Sequence, residues 1–137
     1  MAGSETEDDE LAKQGGTVLV EGDEGRVGIT AKALKEWNKL DATRRGRLKR
    51  TMKEWCAGRR LHREVYKSGG KYGKTKGGRT IAVFKARQVR FYGFEEHMDG
   101  MRTFVIVDAD LAKKQDDANP DTIARLKDRA DAFGKEK

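Results

Sequence analysis

The residues of this chain best suited to chemistry are its cations. The stretch SGGKYGKTKGGRTIAVFKARQVR, residues 68–90, sets Lys71, Lys74, Lys76, Arg79, Lys85, Arg87 and Arg90 among glycines and β-branched or aromatic residues. Cations at that density serve the holding of phosphate, because bound Lys and Arg displace the counterions condensed on a nucleic-acid backbone. An adjacent pair, Lys113 and Lys114, stands in VIVDADLAKKQDDANPDTIARL, residues 105–126, where acids and alanines otherwise prevail. One phosphate motif is incomplete. Gly73, Lys74 and Thr75 match the end of a P-loop, but Ser68 occupies the first glycine position, and GGRTIAVF reads as a strand where that motif opens a helix. The stretch reads instead as a flexible hairpin loop carrying Lys71, Lys74 and Lys76, its glycines letting it follow a backbone. No Ser-His-Asp order or catalytic carboxylate pair stands out. One cysteine, Cys56, and two histidines, His62 and His97, give neither an internal disulfide nor a metal-ligand cluster.

Charge is spread unevenly along the chain. The formal net charge is +7 over 137 residues, yet Thr43 to Arg90 holds 17 Lys or Arg against two acids, Glu54 and Glu64. Residues 1–24 carry eight acids against Lys13, and residues 95–137 carry eleven acids against eight bases. A cationic block between two anionic ones is an electrostatic footprint for phosphate backbones. A soluble basic surface or a contact with acidic lipid is the simpler alternative. No apolar run approaches the length of a membrane span, and MAGSETEDDE lacks the basic and apolar regions of a signal peptide, so a cytoplasmic protein is expected.

The elements that must position these cations divide into two periods. Thr30 is a candidate N-cap for a helix with Leu34, Trp37 and Leu40 at i, i+3, i+6. DATRRG interrupts, and a second helix aligns Leu48, Met52 and Trp55 before Gly58 stops it. Together these make an αα-hairpin. From LHREVYK onward the period shortens, and RTIAVFKA, VRFYGF and TFVIVD read as strands, the last two central in the sheet. A terminal helix has Asn119 as N-cap, Pro120 at N1, and an apolar face of Ile123, Leu126, Ala130 and Phe133 before Gly134. The expected fold is α+β: an antiparallel (mixed) sheet of four to five strands with helices on one face. Residues 1–24 form an acidic, largely disordered arm in which Thr17 to Val20 can add an edge strand, and residues 25–137 form the folded domain. Alternation sets Arg79 and Lys85 on the face of Ile81 and Val83. Both a strand-end position lining a groove and a surface ion pair fit Arg79.

In their order, ITAKALKEWNKLD, the second helix, LHREVYK, GRTIAVF, VRFYGFEE and FVIVDADLAKKQDDANPDTIARLKDRADAF resemble the RelE/HigB superfamily of type II toxins, especially phage-associated HigB-like members. The resemblance covers roughly residues 26–133. It implies a RelE-like fold and a metal- and cofactor-independent endoribonuclease that cuts mRNA, typically on the ribosome, until a cognate antitoxin neutralises it. Cleavage by a 2′-hydroxyl on its neighbouring phosphate requires a proton acceptor, stabilisation of the phosphorane, and a donor for the leaving oxygen. By resemblance Arg79 stabilises the phosphate, Lys113 and Lys114 bind it or act as acid, and one of Lys67, Lys71 and Lys74, with Lys71 placed in the catalytic set, is the candidate base. Lys67, Lys74, Lys76, Lys85, Arg87, Arg90 and Tyr92 are the RNA-binding candidates. Several relatives use a Tyr or His in or near the terminal helix, whereas NPDTIARLKDRADAF has neither. Tyr92, His62 and His97 are the available substitutes. A binding module on the same scaffold is the alternative, either a ParE-like gyrase inhibitor or a plain nucleic-acid binder.

Overall fold

The computed structural model describes residues 11–13, 15–69, 72–111 and 120–133. Two short strands come first, β1 (Gly16–Glu21) and β2 (Arg26–Thr30). An αα-hairpin follows, α1 (Ala31–Trp37) and α2 (Ala42–Cys56), then β3 (Tyr66–Ser68), β4 (Ile81–Ala86), β5 (Val89–Met98) and β6 (Met101–Asp110). The last described helix is α3 (Pro120–Ala132).

Local signals explain most of these bounds. Thr30 caps α1, its hydroxyl accepting from Ala33 N at 3.3 Å, and Asp41 caps α2, its carboxylate accepting from Arg44 N at 3.1 Å. Gly58, at φ 78°, takes the left-handed conformation that ends α2. Asp99 and Gly100 both have positive φ, 54° and 75°, and make the two-residue turn that pairs Met98 with Met101. Their backbone twist matches that of the flanking strands.

The strands form one six-stranded sheet in the order β1-β2-β6-β5-β4-β3, so the expected count of four to five is too low. All neighbours run antiparallel except β2 and β6, which are parallel. β5 and β6 lie centrally, as their unbroken hydrophobicity requires. β1 is the edge strand expected at Thr17 to Val20, paired along β2 from Gly16↔Thr30 to Glu21↔Arg26.

Helices cover both faces of the sheet, not one. Trp37, Leu40, Leu48, Met52 and Trp55 from the hairpin pack with Phe84, Phe91, Phe104 and Ile106 on one side. Leu126, Ala130 and Phe133 pack with Ile81, Val83, Tyr92, Phe94, Val105 and Val107 on the other. The reason is strand alternation: β4, β5 and β6 carry apolar residues at successive positions, and each face of such a strand needs its own cover. No described helix is long and apolar enough to cross a membrane.

Candidate nucleic-acid interface

Strand register sorts the sequence-derived candidates into separate places. Two cross-strand rows lie at the end of the sheet where β6 finishes. Lys85 stands opposite Arg90, and Arg90 opposite Asp110. Two residues inward, Lys67 pairs with Val83, Val83 with Tyr92, and Tyr92 with Asp108. Alternation from Val83 and Tyr92, both in the core beneath α3, puts Lys67, Lys85 and Arg90 on that same face. The η1 nitrogen of Arg90 donates to the carbonyls of Arg87 and Val89, which holds its buried guanidinium beside the β4–β5 turn.

The middle and last turn of α3 are tied to β6 by Asp108. Its carboxylate accepts from Arg125 Nε at 2.9 Å and pairs with Arg129 Nη1 at 2.8 Å, although Asp108 itself is only 8% exposed. A buried carboxylate needs such partners to offset its lost hydration. Lys32 and Glu36 of α1 share with these groups a cavity of about 280 Å³. Asp108→Asn keeps the shape and removes the charge. It should lower stability by about 1–3 kcal/mol in urea denaturation and selectively expose α3 amides to hydrogen exchange. Unchanged exchange in α3 would mean that the two arginines contribute nothing to its docking.

Arg79 stands at the opposite end of β4. Six residues of extended chain separate it from Lys85, roughly 20 Å. There its Nε donates to Glu96 Oε1 at 2.8 Å and its Nη2 to Glu96 Oε2 at 3.3 Å. Its Nη1 donates to the carbonyls of Ala130 and, at 3.0 Å, Phe133. The guanidinium also lies 4.3 Å from the centre of the Phe94 ring. An arginine so engaged caps the C-terminus of α3, where the helix dipole is negative. Arg79 thus stands at a strand end in an ion pair, with its guanidinium turned to Glu96 and the end of α3. The end of β6, from which the chain leaves toward Lys113 and Lys114, lies across from Arg90 and not beside Arg79.

The lysine loop is folded onto α3 over its described part. Thr75 N donates to Arg79 O at 2.8 Å, and Arg79 N to the Thr75 hydroxyl at 3.0 Å, closing the turn. Gly77 N donates to Asp131 Oδ2 at 3.1 Å, and a side chain at Gly77 would lie 2.7 Å from Asp131 Oδ1. The loop thus follows the helix, leaving Lys74 and Lys76 exposed near its C-terminal half. Lys71, Lys113 and Lys114 lie outside the described residues.

The proton-transfer substitutes are dispersed. Tyr92 is 1% exposed, its hydroxyl has no hydrogen-bond partner among the described residues, and burial, with Tyr72 and Asp110 adding to it, pushes its pKa above the usual phenol range. His97 is exposed on β5, paired with Arg102, instead of standing in a turn. His62 is exposed before β3, its Nδ1 accepting from Glu64 N at 3.1 Å. Burial lifts the Cys56 thiol to about 11, so no thiolate nucleophile forms there near neutral pH. Among the described residues, no group of three or more His, Cys, Asp or Glu gathers closely enough to hold a metal ion.

Further cations, not among the candidates read from the sequence, lie on α2. Arg44, Arg47 and Arg50 face Arg87, at the tip of the β4–β5 hairpin, across two adjoining cavities. Their spacing of three, set against the buried face of Leu48, Met52 and Trp55, was a usable signal. Comparison with protein-family models, with curated proteins and with solved structures gives no match.

Proposed function

We propose that this chain is a RelE/HigB-like toxin acting on mRNA: a metal-independent endoribonuclease, associated with the ribosome and held inactive by a cognate antitoxin. The observation that carries the reading is the cross-strand row Lys85–Arg90 at the end of β6, beside the arginines of α3. It gathers positive charge where the chain departs toward Lys113 and Lys114. The fold is α+β, the class that the resemblance implies, with six strands in place of four to five. In this reading the cations of the row supply the field that stabilises a phosphorane. Lys113, Lys114 and Lys71 are the candidates for proton transfer, and Arg79 serves by positioning α3.

The contacts of Arg79 favour a second reading, in which the scaffold binds without cutting. A guanidinium held by Glu96 and two helix carbonyls has little left for a scissile phosphate. Primer-extension mapping of mRNA ends after induced expression separates the two. The nuclease reading expects growth arrest with new 5′ ends, reduced about a hundredfold or more in Lys113→Ala/Lys114→Ala. Arrest without new ends supports the binding module instead.

A further inference from the structure

We propose that the trough between α2 and the tip of the β4–β5 hairpin binds the phosphate backbone of duplex RNA, as an anchoring surface separate from the rows beneath α3. The choice of RNA rests on the reading above; the trough itself rests on its own geometry. Two cavities, about 620 Å³ and 420 Å³, share Arg47 and Arg87 in their walls and so form one continuous depression. One wall is α2, where Arg44, Arg47 and Arg50 recur every third residue, a rise of about 4.5 Å per step. The burial of Leu48, Met52 and Trp55 against the sheet turns this stripe outward. The other wall is the hairpin, with Arg87 at its tip. Arg87 holds φ at 56°, a left-handed conformation unusual for a residue with a side chain.

The charge is largely uncompensated. Arg44, Arg47, Arg50 and Arg87 stand in the trough against Asp41 and Glu64. Asp41 is engaged as the cap of α2 and stands 3.8 Å from Arg44 Nε. Arg47, Arg50 and Arg87 have no ion-pair partner among the described residues. Arginine, with its planar fork of donors, suits bidentate contact with phosphate oxygens.

The lining also selects among polyanions. Its apolar part is Val65, Ala86 and Val89, and no aromatic ring is present. Without rings there is no platform on which unpaired bases stack, and no large anchor of the kind that dominates protein interfaces. A duplex, whose bases are already stacked inward and whose backbone carries the charge, matches such a surface. Binding should therefore be indifferent to sequence and steeply dependent on salt.

The test uses the full chain and an RNA duplex of about 16 base pairs of arbitrary sequence. Affinity is measured across a salt series for the parent and for Arg44→Gln/Arg47→Gln/Arg87→Gln. Removing about three phosphate contacts should lower affinity tenfold or more at low salt and reduce the salt slope by about 2 to 3. A control with equal charge removed elsewhere, Lys13→Gln/Lys35→Gln/Lys39→Gln, should lose less than about threefold. Should the triple variant fail to fold, Arg47→Gln alone, exposed and common to both cavities, should reduce the slope by about 1. Equal losses in variant and control, or no loss in either, overturn the trough as a site. Tighter binding of a DNA duplex of the same length overturns the assignment to RNA. None of these readouts requires cleavage, so they stand or fall apart from the mapping of mRNA ends.

Discussion

Gly93→Ala should lower stability by about 4 kcal/mol or more, in the range reserved for backbone conflict in a core. β5 and β6 change register between Tyr92 and Gly93, a bulge at the centre of the sheet. A methyl group at Gly93 would lie 2.0 Å from the carbonyl oxygen of Val105 and 2.7 Å from a ring carbon of Phe104. Neither neighbour can yield. The first is backbone in a central strand, and both residues are fully buried. Relief would require β5 to leave β6, and Phe94, Tyr92 and Val105 with it. Urea denaturation checks the loss, and an unfolded variant at zero denaturant is within expectation. Near-parental stability would mean that the bulge can migrate along β5, in which case the row Lys85–Arg90–Asp110 would change register too.

The αα-hairpin was legible because its signals are local. Thr30, Asp41 and Gly58 mark ends, and Leu48, Met52 and Trp55 repeat at helical spacing toward one core. β5 and β6 were legible as central strands because they are hydrophobic at consecutive positions. That same property should have announced two covered faces, and the single-face expectation failed by assigning every helix to one side. The parallel pairing of β2 with β6 had no local signal, since it joins Arg26 to Thr103 across most of the chain. β1 was legible as an edge strand over Thr17 to Val20, and its pairing adds only Gly16 and Glu21. Its place is secured partly by Leu11, 1% exposed, which packs over the bare backbones of Gly16 and Gly28; a methyl group at either would lie 2.6 Å from it. At the candidate site, alternation correctly put Arg79 and Lys85 on the face of Ile81 and Val83. It could not tell that α3 would end beside Arg79, because that depends on the direction of a helix joined through residues outside the strand pattern.

Arg79→Ala should cost about 2–4 kcal/mol and release the C-terminal turn of α3 before the rest of the molecule unfolds. The guanidinium is 19% exposed and bridges three groups: Glu96 on β5, the helix-end carbonyls, and the face of Phe94, whose ring packs 5.9 Å from that of Phe133. Truncation leaves those carbonyls and Glu96 without their donor, and the discount for partial exposure keeps the estimate below that for a fully buried pair. Hydrogen exchange should show lost protection in α3 with β5 and β6 retained. A residue whose only task is to hold a scissile phosphate would leave both stability and exchange unchanged, so this measurement divides the positioning role from the catalytic one. Arg79→Lys sharpens the division. Lysine keeps the charge, but a single ammonium cannot span Glu96 and two carbonyls together. If positioning is the task, Arg79→Lys should recover little of the stability, and any loss of RNA cleavage should track the loss of α3 protection. If charge at the phosphate is the task, the lysine variant should restore cleavage while exchange in α3 stays as in the parent, and the helix-capping contacts would be incidental.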